Sequence, residues 1–340
     1  MSSAPQPSCV LRGHRKDVTA VKFAPWTDHH EHPVLLSGAA DGELLVWSLY
    51  THRSVASTTA HAGHPVLGIH AIGGSHVLTQ GRDGFVRTWD VREGGISGPL
   101  FECNVTTFSF CQAVPVPSAA SPGAEEASSS PLPLIAMSSP DAQEVVLWDT
   151  RQQRPARQLT PTVTRERAGM CMSLHFVGGP DSLLSGWEDG SLQLFDLRGT
   201  SRPEVRQLHS EPLLCLDVCP TAKAVVTGAA DCQMNVVPLV ARENGGLGLG
   251  EPTKVSIPVT SESSGSGGIS SLRVRPDGKI AASGGWDKRV RLWQWRKMKP
   301  LAVLRHHTAT VNSVDFSPCC QWLASGSSDG TVALWSGLYC

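Results

Sequence analysis

Apolar and polar side chains alternate along many short runs of this chain, and the runs recur in a fixed order. Residues 18–23, VTAVKF, gather their apolar side chains on one face, the mark of a half-buried β-strand. A short apolar run follows at 34–37, then a hairpin signal at Asp41-Gly42, then a second apolar run at 44–49. The end of the chain repeats the order: 311–316, 322–325, Asp329-Gly330 and 332–335. No long stretch shows helical periodicity. The pattern predicts an all-β fold.

Within each group one string is similar from copy to copy. SGAADGELLVWS (37–48) is matched by TQGRDGFVRTWD (79–90), SGWEDGSLQLFD (185–196), SGGWDKRVRLWQ (283–294) and SGSSDGTVALWS (325–336). TGAADCQMNVVP (227–238) and SSPDAQEVVLWD (138–149) are weaker copies. Seven anchors result, at Trp47, Trp89, Trp148, Phe195, Val237, Trp293 and Trp335, spaced by 42, 59, 47, 42, 56 and 42 residues. The recurring 42 fits the period of about 40–45 residues of a four-stranded propeller blade. The repeats run over about 8–50, 51–93, 98–150, 154–198, 204–240, 252–296 and 298–340, and 1–340 reads as one domain. The two long intervals carry insertions, Pro/Ser/Ala-rich at 115–133 and Gly/Ser-rich at 244–268, expected to be mobile loops.

The ends suggest how such a ring closes. The last repeat stops five residues past Trp335, too soon for a fourth strand, while the first is preceded by a spare strand-like segment, SCVLR (8–12). Pairing of that segment with the last blade would complete it and hide the terminal strand edges.

Composition narrows the chemistry. The net charge of -1, with 17% charged residues, gives no field that draws nucleic acid or an anionic membrane. The start, MSSAPQPSCV, lacks the basic and apolar regions of a signal peptide, and no apolar run approaches a membrane span. The 10 cysteines fall in apolar runs or turns without a CxxC pair, so free thiols in a reducing compartment, cytoplasm and nucleus, are expected. No GxxxxGK[ST] loop is present. The imidazole-rich DHHEH (28–32) has metal-binding chemistry, but a polar surface loop between two strands is the preferred reading, and no metal or cofactor is assigned. Arg151, Arg154, Arg157, Arg165 and Arg167 form a basic stretch whose ordinary role is solvated charge. Ser, His and Asp recur at regular intervals, but nucleophilic catalysis needs one such set in one cleft rather than a set in each repeat.

The GH…[S/T]…D-G…W-[D/S] pattern resembles the WD40-repeat family over essentially the whole chain. It implies a seven-bladed WD40 β-propeller with its ring closed by the N-terminal strand. The resemblance further implies that His, Ser/Thr, Asp and Trp form a hydrogen-bonded tetrad inside a blade. The matching positions are His14, Ser37, Asp41 and Trp47, and His307, Ser325, Asp329 and Trp335. Partial sets are Thr79, Asp83 and Trp89, with His61 and His64 competing for the imidazole place; Ser185 and Asp189; His209, Thr227 and Asp231; and Ser283, Asp287 and Trp293. Phe195 and Val237 stand where the Trp belongs, and the sixth repeat has no obvious His. The residue before the tetrad Asp lies on the rim of one face in such propellers. Here those residues are Ala40, Arg82, Glu188, Ala230, Trp286 and Ser328, with Trp187 beside them. Trp286 and Trp187 are the preferred protein-binding anchors, Arg82 and Glu188 accompany them, and Trp295 is a further candidate on an outer strand.

Within the family, LLSGWEDGSLQLFDLR (183–198), GRDGFVRTWD (81–90) and IAASGGWDKRVRLWQWRKMKPLAVL (280–304) resemble the guanine nucleotide-binding protein β-subunit-like branch. That branch implies a non-enzymatic adaptor in cytoplasm and nucleus, linked to maturation of phosphatidylinositol 3-kinase-related kinases alongside the TTT co-chaperone. True G-protein β subunits have a long N-terminal helix that pairs with a γ subunit. The few residues before the first strand carry no heptad, so no γ partner is expected. The alternatives are a reader of modified peptides, which lacks an aromatic cage among the rim positions, and a propeller hydrolase, which lacks a lone catalytic set.

Overall fold

The computed structural model describes residues 5–28, 31–92, 95–105, 109–117, 134–162, 168–199, 202–243, 245–257 and 267–338. Seven antiparallel sheets form the blades. Blade one is Val18–Thr27, Pro33–Ala39, Glu43–Ser48 and Arg53–Thr59; blade two is Val66–Ala71, His76–Gly81, Phe85–Arg92 and Gly95–Asn104. Blade three is Val114–Pro115, Leu134–Ser138, Val145–Asp149 and Arg154–Leu159; blade four is Cys171–Phe176, Ser182–Trp187, Ser191–Asp196 and Glu204–Gln207. Blade six is Ile269–Val274, Ile280–Gly285, Arg289–Gln294 and Lys299–Arg305. In each, the first strand lines the axis and the last faces outward.

Blade seven, Val311–Phe316, Trp322–Ser327 and Thr331–Ser336, takes its outer strand from the other end of the chain. Cys9–Arg12 pairs antiparallel with Thr331–Ser336, Cys9 opposite Leu334 and Arg12 opposite Thr331. The ring is clasped by the N-terminal strand, and each sequence repeat opens with the outer strand of the blade before it.

Blade five, Leu213–Cys219, Ala224–Ala229 and Gln233–Ala241, departs from the others. Its third strand is long enough to pair with Thr253–Ser256 and also with Leu247–Leu249. The Gly/Ser-rich insertion at 244–268, read as a mobile loop, therefore holds two strands. Leu249 is buried against Leu239, which supplies the apolar anchor that composition alone hid. Residues 118–133 and 258–266 lie outside the described residues.

Packing follows the ring. Seven apolar clusters are present among the described residues, and each draws on two neighbouring blades. A flat sheet has two apolar faces, so every blade buries one face against each neighbour. The core is a set of seams rather than one central mass.

Candidate functional site

The polar sets expected inside the blades are assembled to different extents. In blade seven, Nδ1 of His307 lies 2.9 Å from Asp329, Nε2 lies 2.8 Å from Ser325 Oγ, and the Trp335 indole donates to that oxygen at 3.1 Å. Blade two places His61, not His64, between Asp83 at 3.0 Å and Thr79 at 2.9 Å, with Trp89 donating to Thr79. In blade five His209 joins Asp231 and Thr227. Val237 supplies no indole donor there, and the Asn235 amide lies against His209 and donates to the Leu208 carbonyl.

Blade one corrects one assignment. His14 links Ser37 to Glu43 at 3.0 Å, while Asp41 accepts the backbone N–H of Glu43 instead. The longer glutamate, two residues on, reaches the imidazole first and leaves Asp41 to stiffen the turn. Blade six has no imidazole: Asp287 is held by Arg291 at 2.6 Å, and Trp293 donates to Ser283. In blade three the Trp148 indole donates to the Cys103 thiol.

Blade four carries the largest correction. Trp187, expected as an exposed anchor, is fully buried, and its indole donates to Ser185 at 2.8 Å. The position two residues after the Ser or Thr is Ala39, Gly81, Ala229, Gly285 or Ser327 in other blades. It is small in blade two because a Cβ there would meet the His61 ring at 2.2 Å. Among the described residues no His is hydrogen-bonded to Ser185, so the indole of Trp187 takes that place and stands in for Phe195, which has no donor. Asp189 accepts the N–H of Ser191. Trp295 is corrected too. It sits in a 3₁₀ turn, Trp295–Lys297, and is buried in the seam between blades five and six rather than on an outer strand.

Geometrically these Ser/Thr–His–carboxylate chains match a hydrolytic triad, since the carboxylate accepts from Nδ1 and Nε2 faces a hydroxyl. Two observations separate them from one. Ser37, Thr79, Thr227 and Ser325 are wholly buried, and in three of these four the oxygen already accepts an indole N–H. No substrate carbonyl can approach. The chains satisfy buried polar groups and fix the blade turns.

Their ionisation fits that role. Burial lowers the His14, His61 and His209 imidazoles below the usual range, against the pull of their carboxylate partners. Burial alone would raise the Asp329 carboxyl, but hydrogen bonds from Thr331 and His307 hold it down to about 2.

The axis holds a feature that the motif search missed. The fifth residue of six inner strands falls at one level, as the register with the second strand shows: Lys22, His70, His175, Asp217, Arg273 and Asp315, with Val114 of the two-residue inner strand of blade three at the matching register. Lys22 is 2.9 Å from Asp315, Arg273 3.5 Å from Asp315 and 4.0 Å from Asp217, and His175 3.2 Å from Asp217. Asp315 also accepts the N–H of Phe23, and Asp217 that of Val274. Inner strands of adjacent blades cannot pair as a sheet, so these carboxylates bridge them. The signal was present as a polar residue recurring between apolar neighbours: VKF, IHA, LHF, LDV, LRV and VDF.

The belt gives a pH dependence. Burial, with Lys22 and Arg273 nearby, lowers His70 from 6.5 to about 3. Below 6.5 the unfolded chain takes up a proton that the folded channel refuses. Stability from this group is therefore complete above 6.5 and is lost as the pH falls toward 3, in the same direction as His14, His61 and His209. The urea midpoint should drop between about pH 7.5 and about 5, and His70→Phe should flatten that slope. A midpoint constant across the range would refute the argument.

The rim face surrounds the mouth of this channel, a cavity of about 1030 Å³. The N–H groups of Ala40, Arg82, Glu188, Ala230, Trp286 and Ser328 all bond a carbonyl just before their blade's inner strand, which sets them at one level. Arg82 is exposed and lies 4.4 Å over the ring of Phe110, itself 56% exposed. Glu188 is exposed and accepts the N–H of Met170. Trp286 is half-buried, closely packed on Gly268, and lines the mouth with Phe110. Of the imidazole-rich loop, Asp28 accepts from Ser48 Oγ and the His32 N–H, while His29 and His30 lie outside the described residues. Arg157 donates to the Leu197 carbonyl, and Arg165 and Arg167 lie outside the described residues.

The WD domain, G-beta repeat model matches residues 5–48, 258–294 and 298–336. With seven blades built on the same strand order, the chain belongs to the WD40-repeat family. It is 30% identical to guanine nucleotide-binding protein subunit beta-like protein 1 of Mus musculus, over 98% of this chain and 96% of that one. It is also 30% identical to ASTRA-associated protein 1 of Verticillium alfalfae, over 98% and 93% of the two chains. The corresponding protein of Schizosaccharomyces japonicus is 26% identical over 97% and 98%.

Proposed function

We propose that this chain is a non-enzymatic scaffold that holds other proteins through the rim face around the channel mouth. The observation that carries this is the division of its side chains. Hydroxyl, imidazole and carboxylate groups are sealed inside blades, while Arg82, Phe110, Met170, Glu188 and Trp286 reach the surface of one face. Aromatic residues and arginine dominate interface energetics because each buries a large area or makes several directed bonds. The fungal relatives are named for association with ASTRA, and we extend membership of a protein assembly to this chain. Together with the family resemblance, that supports a role in maturation of phosphatidylinositol 3-kinase-related kinases with co-chaperones of the TTT type, in cytoplasm and nucleus. We assign no contact with nucleic acid or membrane.

Affinity purification from cells with quantitative mass spectrometry tests this. Trp286→Ala and Arg82→Glu should each leave the melting curve unchanged and weaken partner recovery by more than about 1 kcal/mol, roughly fivefold or more. Recovery equal to the parent chain for both variants would dismiss the rim face.

A further inference from the structure

The formal charge of -1 is unevenly spread. Residues 269–305, which make blade six, hold 10 Lys and Arg against 2 Asp and Glu, a formal +8. The rest of the chain holds 19 against 28, a formal -9. Three of the ten cations are used inside the fold: Arg273 in the axial belt, Arg275 on Asp277 and Arg291 on Asp287. Lys279 reaches Asp277 at 3.9 Å. The side chains of the other six, Lys288, Arg289, Arg296, Lys297, Lys299 and Arg305, meet no acceptor among the described residues. Arg289 is half-buried and the other five are exposed.

Other blades neutralise the corner before their outer strand. The residue after the aromatic anchor is Asp90, Asp149 or Asp196 in blades two, three and four. Asp90 pairs with Arg92 at 2.8 Å and Asp196 with Arg198 at 2.7 Å, while Asp149 stands opposite Arg154. In blade six that residue is Gln294, opposite Lys299, and the turn that follows carries Arg296 and Lys297 without a carboxylate. The Trp295 N–H bonds the Lys279 carbonyl, which brings a fourth cation to this corner. At the other end of the outer strand Arg289 stands directly opposite Arg305, in unbroken register, with Lys288 beside them. Side chains so placed leave the backbone about 5 Å apart, and like charges there disfavour the fold. Asp287, two residues away, gives both oxygens to Arg291. The opposed arginines contribute nothing internally, and a local conflict of this kind marks a surface shaped for something outside the chain.

We propose that the outer side of blade six docks an acidic segment of a partner protein, which runs along Lys299–Arg305 and sets carboxylates against the cations at both ends. The seven-residue strand separates the two groups by about 20 Å, the length of an extended segment of similar size. The strip is one blade wide. Blade five, residues 213–256, holds 3 cations and 4 acids, and blade seven with its clasp strand, residues 311–336 and 8–12, holds 1 and 2. A nucleic-acid duplex or a flat anionic membrane would meet those neighbours too, so a narrow acidic segment is the better complement. The strip touches the rim face only where Lys288 shares a turn with Trp286. No substitution in the test below lies in that turn, so either reading can fail without the other.

Fluorescence anisotropy of labelled dodecapeptides on the full chain tests this. One peptide carries three Glu at each end of a Ser/Gly spacer of six, and the other carries Lys in their place. The Glu peptide should bind saturably, at least about tenfold tighter than the Lys peptide, and weaken as salt rises. Arg296→Glu, Lys297→Glu and Lys299→Glu together should weaken its binding at least about tenfold. Arg53→Glu, Arg92→Glu and Arg154→Glu, an equal charge change on the outer strands and corners of blades one to three, should bind like the parent. If the blade-six variant does not fold, Arg296→Gln, Lys297→Gln and Lys299→Gln carry the test. Arg305→Glu, which gives Arg289 an opposite charge across the strands, should weaken binding while raising the urea midpoint. Equal binding of the two peptides, equal loss in the two charge-reversed variants, or unchanged binding by Arg305→Glu would each overturn the proposal. So would tighter binding of a single-stranded oligonucleotide, or of phosphatidylcholine vesicles with about 30% phosphatidylserine, than of the Glu peptide.

Discussion

Deleting residues 1–12 is expected to yield a protein that aggregates on mild warming. The deletion removes the outer strand of blade seven, whose Cys9–Arg12 ladder holds Thr331–Ser336. It also removes Leu11, 2% exposed in the seam between blades seven and one, and the bond between Ser8 and Ser336 at 2.6 Å. Loss of the leucine costs about 2 kcal/mol and each ladder hydrogen bond about 1 kcal/mol. The larger consequence is the open ring, which exposes the backbone of Thr331–Ser336 as an unprotected edge. Light scattering during a thermal ramp, beside circular dichroism, reads both effects. A truncated chain that melts and scatters like its parent would remove the clasp from the account of stability.

Asp315→Ala should be the most damaging single substitution in the axial belt. The carboxylate is 3% exposed and serves Lys22, Arg273 and the Phe23 N–H at once. Removing it leaves Lys22 and the Phe23 amide without this acceptor and Arg273 with Asp217 alone at 4.0 Å, a loss of about 2–3 kcal/mol once the roughly 3–5 kcal/mol of a fully buried pair is discounted for the partial exposure of both cations. Lys22→Met should cost less, since Asp315 keeps Arg273 and the amide. Chemical denaturation of the two variants and their combination decides the matter. Asp315→Ala within about 1 kcal/mol of the parent would mean that the belt does not join the blades.

Most of the architecture was readable because the same local solution is used repeatedly. An Asp-Gly turn flanked by alternating apolar residues has one structural reading, and the anchor spacing then counts the blades. Even the clasp was readable, from the mismatch between the two ends. What failed were inferences about where single side chains point. Trp187 was placed by its neighbour Glu188, which is exposed, but strand alternation turns adjacent residues to opposite sides. Asp41 was assigned by position in the motif, although Glu43 reaches His14 with one more methylene. Trp295 follows Trp293 by two residues and so returns to the buried side. The axial belt was visible as a recurring polar residue, yet it lies outside the motif that the repeats were aligned on.

The indole of Trp187 also constrains how blade four can change. Restoring Phe195→Trp alone would bring a second indole to Ser185, whose oxygen already accepts one. Introducing an imidazole alone would place two rings in one space. Each step toward the pattern of the other blades is therefore unfavourable until Trp187 shrinks. Shrinking Trp187 first opens a void among Cys171, Leu183 and Phe195. Blade four sits in a local trap of sequence space, where its irregularity persists because every single exit is worse than staying.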